Sequence, residues 1–108
     1  MGLLSGFKSL FSARGRAQSL YERGFKKAKA RDYDGAIADY GAVLRLDKAP
    51  QDIKAMALLN RGLALSMTKD DDAAAKDLQA VLALDKAPAA VVAAAREKIG
   101  RMRKRSKE

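Results

Sequence analysis

The sequence predicts an all-α protein: two antiparallel helix-turn-helix repeats stacked as a short α-solenoid and closed by a capping helix. Three observations carry that expectation. The octapeptide VLRLDKAP at residues 43–50 returns as VLALDKAP at residues 81–88, an offset of 38. Between and around these copies, apolar residues recur about every 3.6 residues, the period of a helix with one buried face. Alanine is abundant and the 108 residues include only two prolines, a composition that favours helix.

The repeat extends well beyond the octapeptide. RGFKKAKARDYDGAIADYGAVLRLDKAP begins at Arg23, and RGLALSMTKDDDAAAKDLQAVLALDKAP begins at Arg61. The two align over 28 residues without a gap, placing Gly24 on Gly62, Asp32 on Asp70, Asp34 on Asp72, Ala36 on Ala74 and Asp39 on Asp77. A further step of 38 from Gly62 reaches Gly100. Such periodicity is the signature of stacked supersecondary units.

The chain divides into four parts. Residues 1–15 form an amphipathic basic segment, residues 16–50 a first hairpin, residues 51–88 a second, and residues 89–108 a basic capping helix. In the first hairpin a helix from about Arg16 to Ala30 is followed by the turn RDYD and a helix from about Asp34 to Leu46. In the second, Ile53, Met56, Ala57, Leu59, Leu63, Ala64 and Met67 share a broad apolar face. Asp70, Asp71 and Asp72 then open a helix carrying Ala74, Ala75, Leu78, Val81 and Leu82. Aspartate is a good N-cap and suits the positive end of the helix dipole. Lys86 and Pro88 close this unit. A calcium loop is the alternative for the aspartates, but DYDGA and KDDDA lack its alternating ligands and terminal glutamate. In the last helix Val91, Val92, Ala95 and Ile99 can cover the open end of the stack, and RMRKRSKE remains polar.

Paired helices with Gly24 and Gly62 in the first member, Ala36 and Ala74 early in the second and Pro50 and Pro88 at the close resemble the tetratricopeptide repeat. RDYDGAIADYGAVLRLD is the closest stretch, and the resemblance covers about residues 17–100. Leu20 and Leu58 stand at the family's Trp place, and Tyr40 and Leu78 at its Phe place. Arg23 and Arg61 replace the usual leucine before the glycine, and the period is 38 rather than 34. The four extra residues, within APQDIKA, should lengthen the inter-repeat turn or add a helical turn to the next helix.

The resemblance implies a concave surface lined by the first helix of each unit, where a peptide or helix of a protein partner would lie. Its lining would be Gln18, Tyr21, Glu22, Phe25 and Lys29, then Met56, Leu59, Asn60, Leu63 and Met67, then Lys98 and Arg101. Asn60 and Lys98 match two places of the family's carboxylate clamp, but Tyr21 and Phe25 replace its first Lys and Asn, so no carboxylate binding is expected. An apolar lining of Met and aromatics suits an amphipathic helix or apolar peptide. The alternative is that these residues are simply core. Two repeats and a cap are near the minimum for such a stack, and homo-oligomerisation could supply further copies.

Composition narrows the remaining functions. The chain has no His and no Cys, which removes the commonest general base, metal ligands and nucleophile. No phosphate loop or nucleophile elbow is present, so neither an enzyme nor a cofactor is expected. The net charge of +9 sits at the ends: residues 1–31 carry eight Lys/Arg against Glu22, and residues 96–108 seven against Glu97 and Glu108. Residues 32–95 carry seven Lys/Arg against ten Asp. Nucleic acid is the weaker partner class for such ends, because the basic residues lack interleaved aromatics.

The N-terminal segment is the second candidate site. Leu3, Leu4, Phe7, Leu10 and Phe11 fall on one helical face beside Lys8, with Arg14 and Arg16 following and no acid before Glu22. The segment is too short to span a bilayer, and Lys8 interrupts the apolar run of a signal peptide. It fits an interfacial anchor on an anionic membrane surface. A mitochondrial presequence, a segment docked on its own repeats and a disordered tail are the other readings. The expected location is cytoplasmic, peripheral to a membrane if the anchor is used.

Overall fold

The computed structural model describes the backbone of residues 2–107 and the side chains of residues 13–107. Among the described residues there are five α-helices: α1 (Gly2–Lys29), α2 (Tyr33–Leu44), α3 (Gln51–Met67), α4 (Asp71–Ala83) and α5 (Ala89–Ser106). No strand occurs among the described residues.

Helix starts and stops recur at the sequence period. Asp32 caps α2 by accepting from the Gly35 N–H at 3.0 Å, and Asp70 caps α4 by accepting from the Ala73 N–H at 3.4 Å. Pro50 and Pro88 hold the N-cap places of α3 and α5 in extended backbone, the conformation proline favours just before a helix. Helices α1 and α3 end in the same way. Arg31 and Lys69 adopt left-handed backbone, with φ 66° and 65°. At each site two N–H groups reach back to the last turn: Asp32 to Lys27 and Arg31 to Ala28, then Asp70 to Leu65 and Lys69 to Ser66. These bonds satisfy carbonyls that the helix end would leave unpaired.

Each three-residue connection turns the chain back on itself, so α2 packs along α1 and α4 along α3. Two glycines set how closely these pairs approach. A Cβ on Gly24 would lie 2.9 Å from the Tyr40 ring, and one on Gly62 would lie 3.1 Å from Leu78. Gly100, at the same register on α5, has nothing within 4 Å. Helices α2 and α3 also pack together, as do α4 and α5. Among the described residues the core forms two clusters. Ala17, Ala36, Tyr40, Val43, Ala49, Ile53 and Ala57 form one, and Leu58, Leu78, Val81 and Ala95 the other. Leu44 touches both.

One feature decides between two outcomes the sequence left open, and a second differs from the sequence reading. First, the four extra residues of the unit appear as helix: α3 starts at Gln51, and Ile53 in its first turn is fully buried. The added turn thus contributes core rather than loop. Second, α1 starts at Gly2, not near Arg16, and crosses residue 15 without a break. The N-terminal segment and the first helix of the hairpin are one helix of 28 residues, about 42 Å long.

Candidate peptide-binding groove

Helices α1 and α3 lie side by side in parallel. Arg14 pairs with Asp52 at 3.4 Å, and the Asn60 amide donates to the Tyr21 hydroxyl at 3.0 Å, so residues about 38 apart stand level. On α1, Tyr21, Phe25 and Lys29 follow at four-residue steps, which stacks their side chains on one face. The Tyr21 and Phe25 rings lie 6.3 Å apart at an interplanar angle of 18°. The Lys29 ammonium sits 5.6 Å from the Phe25 centroid, within cation–π range. Beneath them Tyr21 meets Tyr40 at 5.7 Å. Burial pushes the Tyr21 phenol above its ordinary range, and the hydrogen bond from Asn60 partly opposes that shift.

Beyond Phe25 the surface turns concave. A site of about 210 Å³ is lined by Ala28, Lys29, Tyr33, Asn60, Leu63, Ala64 and Met67. Its volume is below the roughly 300–1,000 Å³ of small-molecule sites. It has room for one large apolar side chain of a longer ligand. Met67, 61% exposed, is part of this lining, and Phe25, 44% exposed, adjoins it through Lys29.

The structure brings four expected groove residues together here: Lys29, Asn60, Leu63 and Met67. Phe25 adjoins them through Lys29. Tyr21 and Met56 are half-buried against the first core cluster, and Leu59 packs against the second. Lys98 is half-buried on α5 and does not line the concave site. Ala64, expected on the apolar face of its helix, completes the lining together with Ala28 and Tyr33, which were not singled out in the sequence. Tyr33 stands in the turn-like RDYD run, and the signal that could have found it is its place at the start of α2, beside the end of α1. Leu3, Leu4, Phe7, Lys8, Leu10 and Phe11 have side chains outside the described residues.

The polar groups near the groove are mostly engaged. The Asn60 amide nitrogen donates to Tyr21 and to the Met56 carbonyl at 2.9 Å, which uses both its hydrogens. Arg101 pairs with Glu97 at 2.6 Å, and Arg105 with Asp71 at 3.1 Å. Lys29 is left as the cation over an apolar surface. The carboxylates do structural work: Asp32 and Asp70 cap helices, and Asp39 and Asp77 are gripped by arginines. No group of three or more potential metal ligands occurs among the described residues. No helix among them is long and apolar enough to cross a membrane.

No protein-family model, curated protein or solved structure matches this chain.

Proposed function

We propose that this protein is a non-catalytic interaction module. Its helices act as two tetratricopeptide-like hairpins and a capping helix, stacked as a short solenoid, and a peptide or helix of a protein partner lies along α1 and α3. One observation carries the reading: an open apolar hollow between the end of α1, the start of α2 and the C-terminal half of α3, lined by the exposed Met67 and joined through Lys29 to the exposed Phe25. Two large apolar residues of one surface, on neighbouring helices beside a hollow, are what an amphipathic ligand covers. The ligand this surface suits is an apolar residue seated over Leu63 and Ala64, with a carbonyl near Lys29. Short, exposed and mainly apolar contacts of this kind suit a scaffold or adaptor that engages its partner reversibly.

The test uses a displayed library of amphipathic helical peptides selected on the full chain. Selected binders should lose about tenfold or more in affinity for Phe25→Ser with Met67→Ser, as apolar anchors dominate such interfaces. Circular dichroism should show the parent helicity in that variant, since neither side chain is buried. Binders that hold the variant as tightly as the parent would remove the groove from consideration.

A further inference from the structure

The N-terminal part of α1 extends past the helices that pack on it. Asp52, the level partner of Arg14, is the second residue of α3, so α3 begins at the level of Arg14. Helix α2 returns along α1 from Tyr33 and has only 12 residues, about 18 Å. The α1 backbone from Gly2 to Arg14 therefore continues about 18 Å beyond the start of α3. Along it, Leu3, Leu4, Phe7, Leu10 and Phe11 occupy positions on one side of the helix. Lys8, Arg14 and Arg16 supply positive charge, and no acid precedes Glu22.

We propose that this projecting part of α1 docks on an anionic lipid surface, lying in the plane of the interface with its apolar positions toward the acyl chains. Charge selects this occupant. Arg14 is already paired with Asp52, but a second copy joined through the same side would bring the two Lys8 positions together, with no carboxylate in either projecting segment to offset them. The protein's own groove is out of reach, because α1 is unbroken and carries Phe7 about 27 Å along the axis from Phe25. An anionic leaflet supplies both an apolar layer and opposite charge. The register adds an orientation. Phe7 precedes Phe25 by 18 residues, about five turns, so the two positions share one side of α1. Docking α1 therefore turns the Phe25 side of the groove toward the lipid.

The chain has no tryptophan, so a single introduced one reports its own surroundings. In the full-length Phe7→Trp variant, emission should shift to the blue with phosphatidylcholine–phosphatidylglycerol vesicles, and hardly at all with phosphatidylcholine alone. Ser9→Trp, on the opposite side of α1, should keep the emission of a water-exposed indole. Adding Lys8→Glu to Phe7→Trp should weaken partitioning about tenfold or more, since each basic residue near such a surface contributes to binding. High salt should weaken binding without abolishing it, because apolar burial persists when charge is screened. Circular dichroism of each variant should show the parent helicity. Equal partitioning into neutral vesicles would overturn the proposal, as would the absence of any shift. A blue shift that grows with protein concentration without lipid would assign the segment to a second copy instead.

Discussion

Arg61 grips Asp77 through two parallel hydrogen bonds, Nε to Oδ2 at 2.7 Å and Nη2 to Oδ1 at 2.8 Å. The same grip joins Arg23 to Asp39, at 3.0 and 2.8 Å. Each pair ties the first helix of a hairpin to the second, one residue before the glycine crossing. The two are not equal. Asp39 also receives the Lys27 ammonium at 3.1 Å, whereas Leu65 holds the place of Lys27 in the second unit. Arg61 is the more buried guanidinium, at 28% side-chain exposure against 61% for Arg23.

Arg61→Ala should therefore cost more than Arg23→Ala. Removing Arg61 strands the buried Asp77 carboxylate, a loss of about 3 kcal/mol. Removing Arg23 leaves Lys27 on Asp39, and the loss should be smaller. Arg61→Leu combined with Asp77→Leu should recover much of the stability lost by Arg61→Ala, because an apolar pair leaves no unpaired charge behind. Urea denaturation of the four chains measures this order. Equal losses for the two alanine variants would contradict it.

Acid should reveal the Asp39 pair. The hydrogen bond from Arg23, with help from Lys27, holds the Asp39 carboxyl below its ordinary range despite opposing desolvation. The unfolded chain therefore takes up this proton at a higher pH than the folded one. The stabilisation is present above the ordinary carboxylate value of 3.8 and is lost as pH falls below it. Asp39→Asn should be less stable than the parent at neutral pH and should lose less stability on going from neutral pH to pH ~3. Melting temperatures across that range should converge; parallel curves would refute the assignment.

The three register-equivalent glycines should respond differently to alanine. At Gly24 the new methyl would press 2.9 Å from a fully buried tyrosine ring and 3.2 Å from the Asp39 Cβ, and neither can retreat easily. Gly24→Ala should cost about 2 kcal/mol, the scale of an overpacked core. Gly62→Ala meets Leu78 at 3.1 Å, and the more adaptable leucine side chain should reduce the loss. Gly100→Ala meets nothing and should stabilise by about 0.5–1 kcal/mol through helix propensity alone. Chemical denaturation measures all three; a destabilised Gly100→Ala would show an unrecognised contact on α5.

Much of this arrangement was legible because its signals are short-range. Asp32 and Asp70 act within one turn of the helices they cap, and the period of 38 carried them from one unit to the next, whereas Pro50 and Pro88, expected to close their units, stand at the starts of α3 and α5. The Arg–Asp grips were half visible. Arg23 and Arg61 stood out as charges at a place where the tetratricopeptide pattern that the sequence resembles has leucine, and their partners recur at the same separation of 16. That matched spacing was the available signal. The ends of α1 and α3 gave none, because Arg31 and Lys69 adopt the left-handed backbone usually marked by glycine. The division after residue 15 rested on composition, and α1 runs through that point: Gly15 sits within the helix with nothing near it. In the groove, the alignment implied by the resemblance named Lys29, Asn60, Leu63 and Met67, which line one hollow in the structure. Whether Tyr21, Met56 and Leu59 face the hollow or the core depends on helix rotation within the packed molecule, which one sequence does not fix.

Tyr40 offers the last prediction. It fills the crossing under Gly24 and is fully buried, yet its hydroxyl has no hydrogen-bond partner among the described residues. Leu78 does the same packing in the second unit with no polar atom at all. An unpaired buried hydroxyl costs about 1–3 kcal/mol, so Tyr40→Phe should be at least as stable as the parent and could gain about 1 kcal/mol. The same burial, with smaller contributions from Tyr21 and Asp39, pushes the Tyr40 phenol up to about 12. The sign follows from linkage. Above the ordinary tyrosine value of 10.0 the unfolded chain releases this proton while the folded chain keeps it, so stability falls as pH rises from there to about 12. Tyr40→Phe lacks that proton and should show a shallower alkaline decline. Parent and variant share every lysine, so their difference across this range isolates Tyr40. Measured by urea denaturation, a variant that is less stable than its parent at neutral pH would mean that the hydroxyl is satisfied after all.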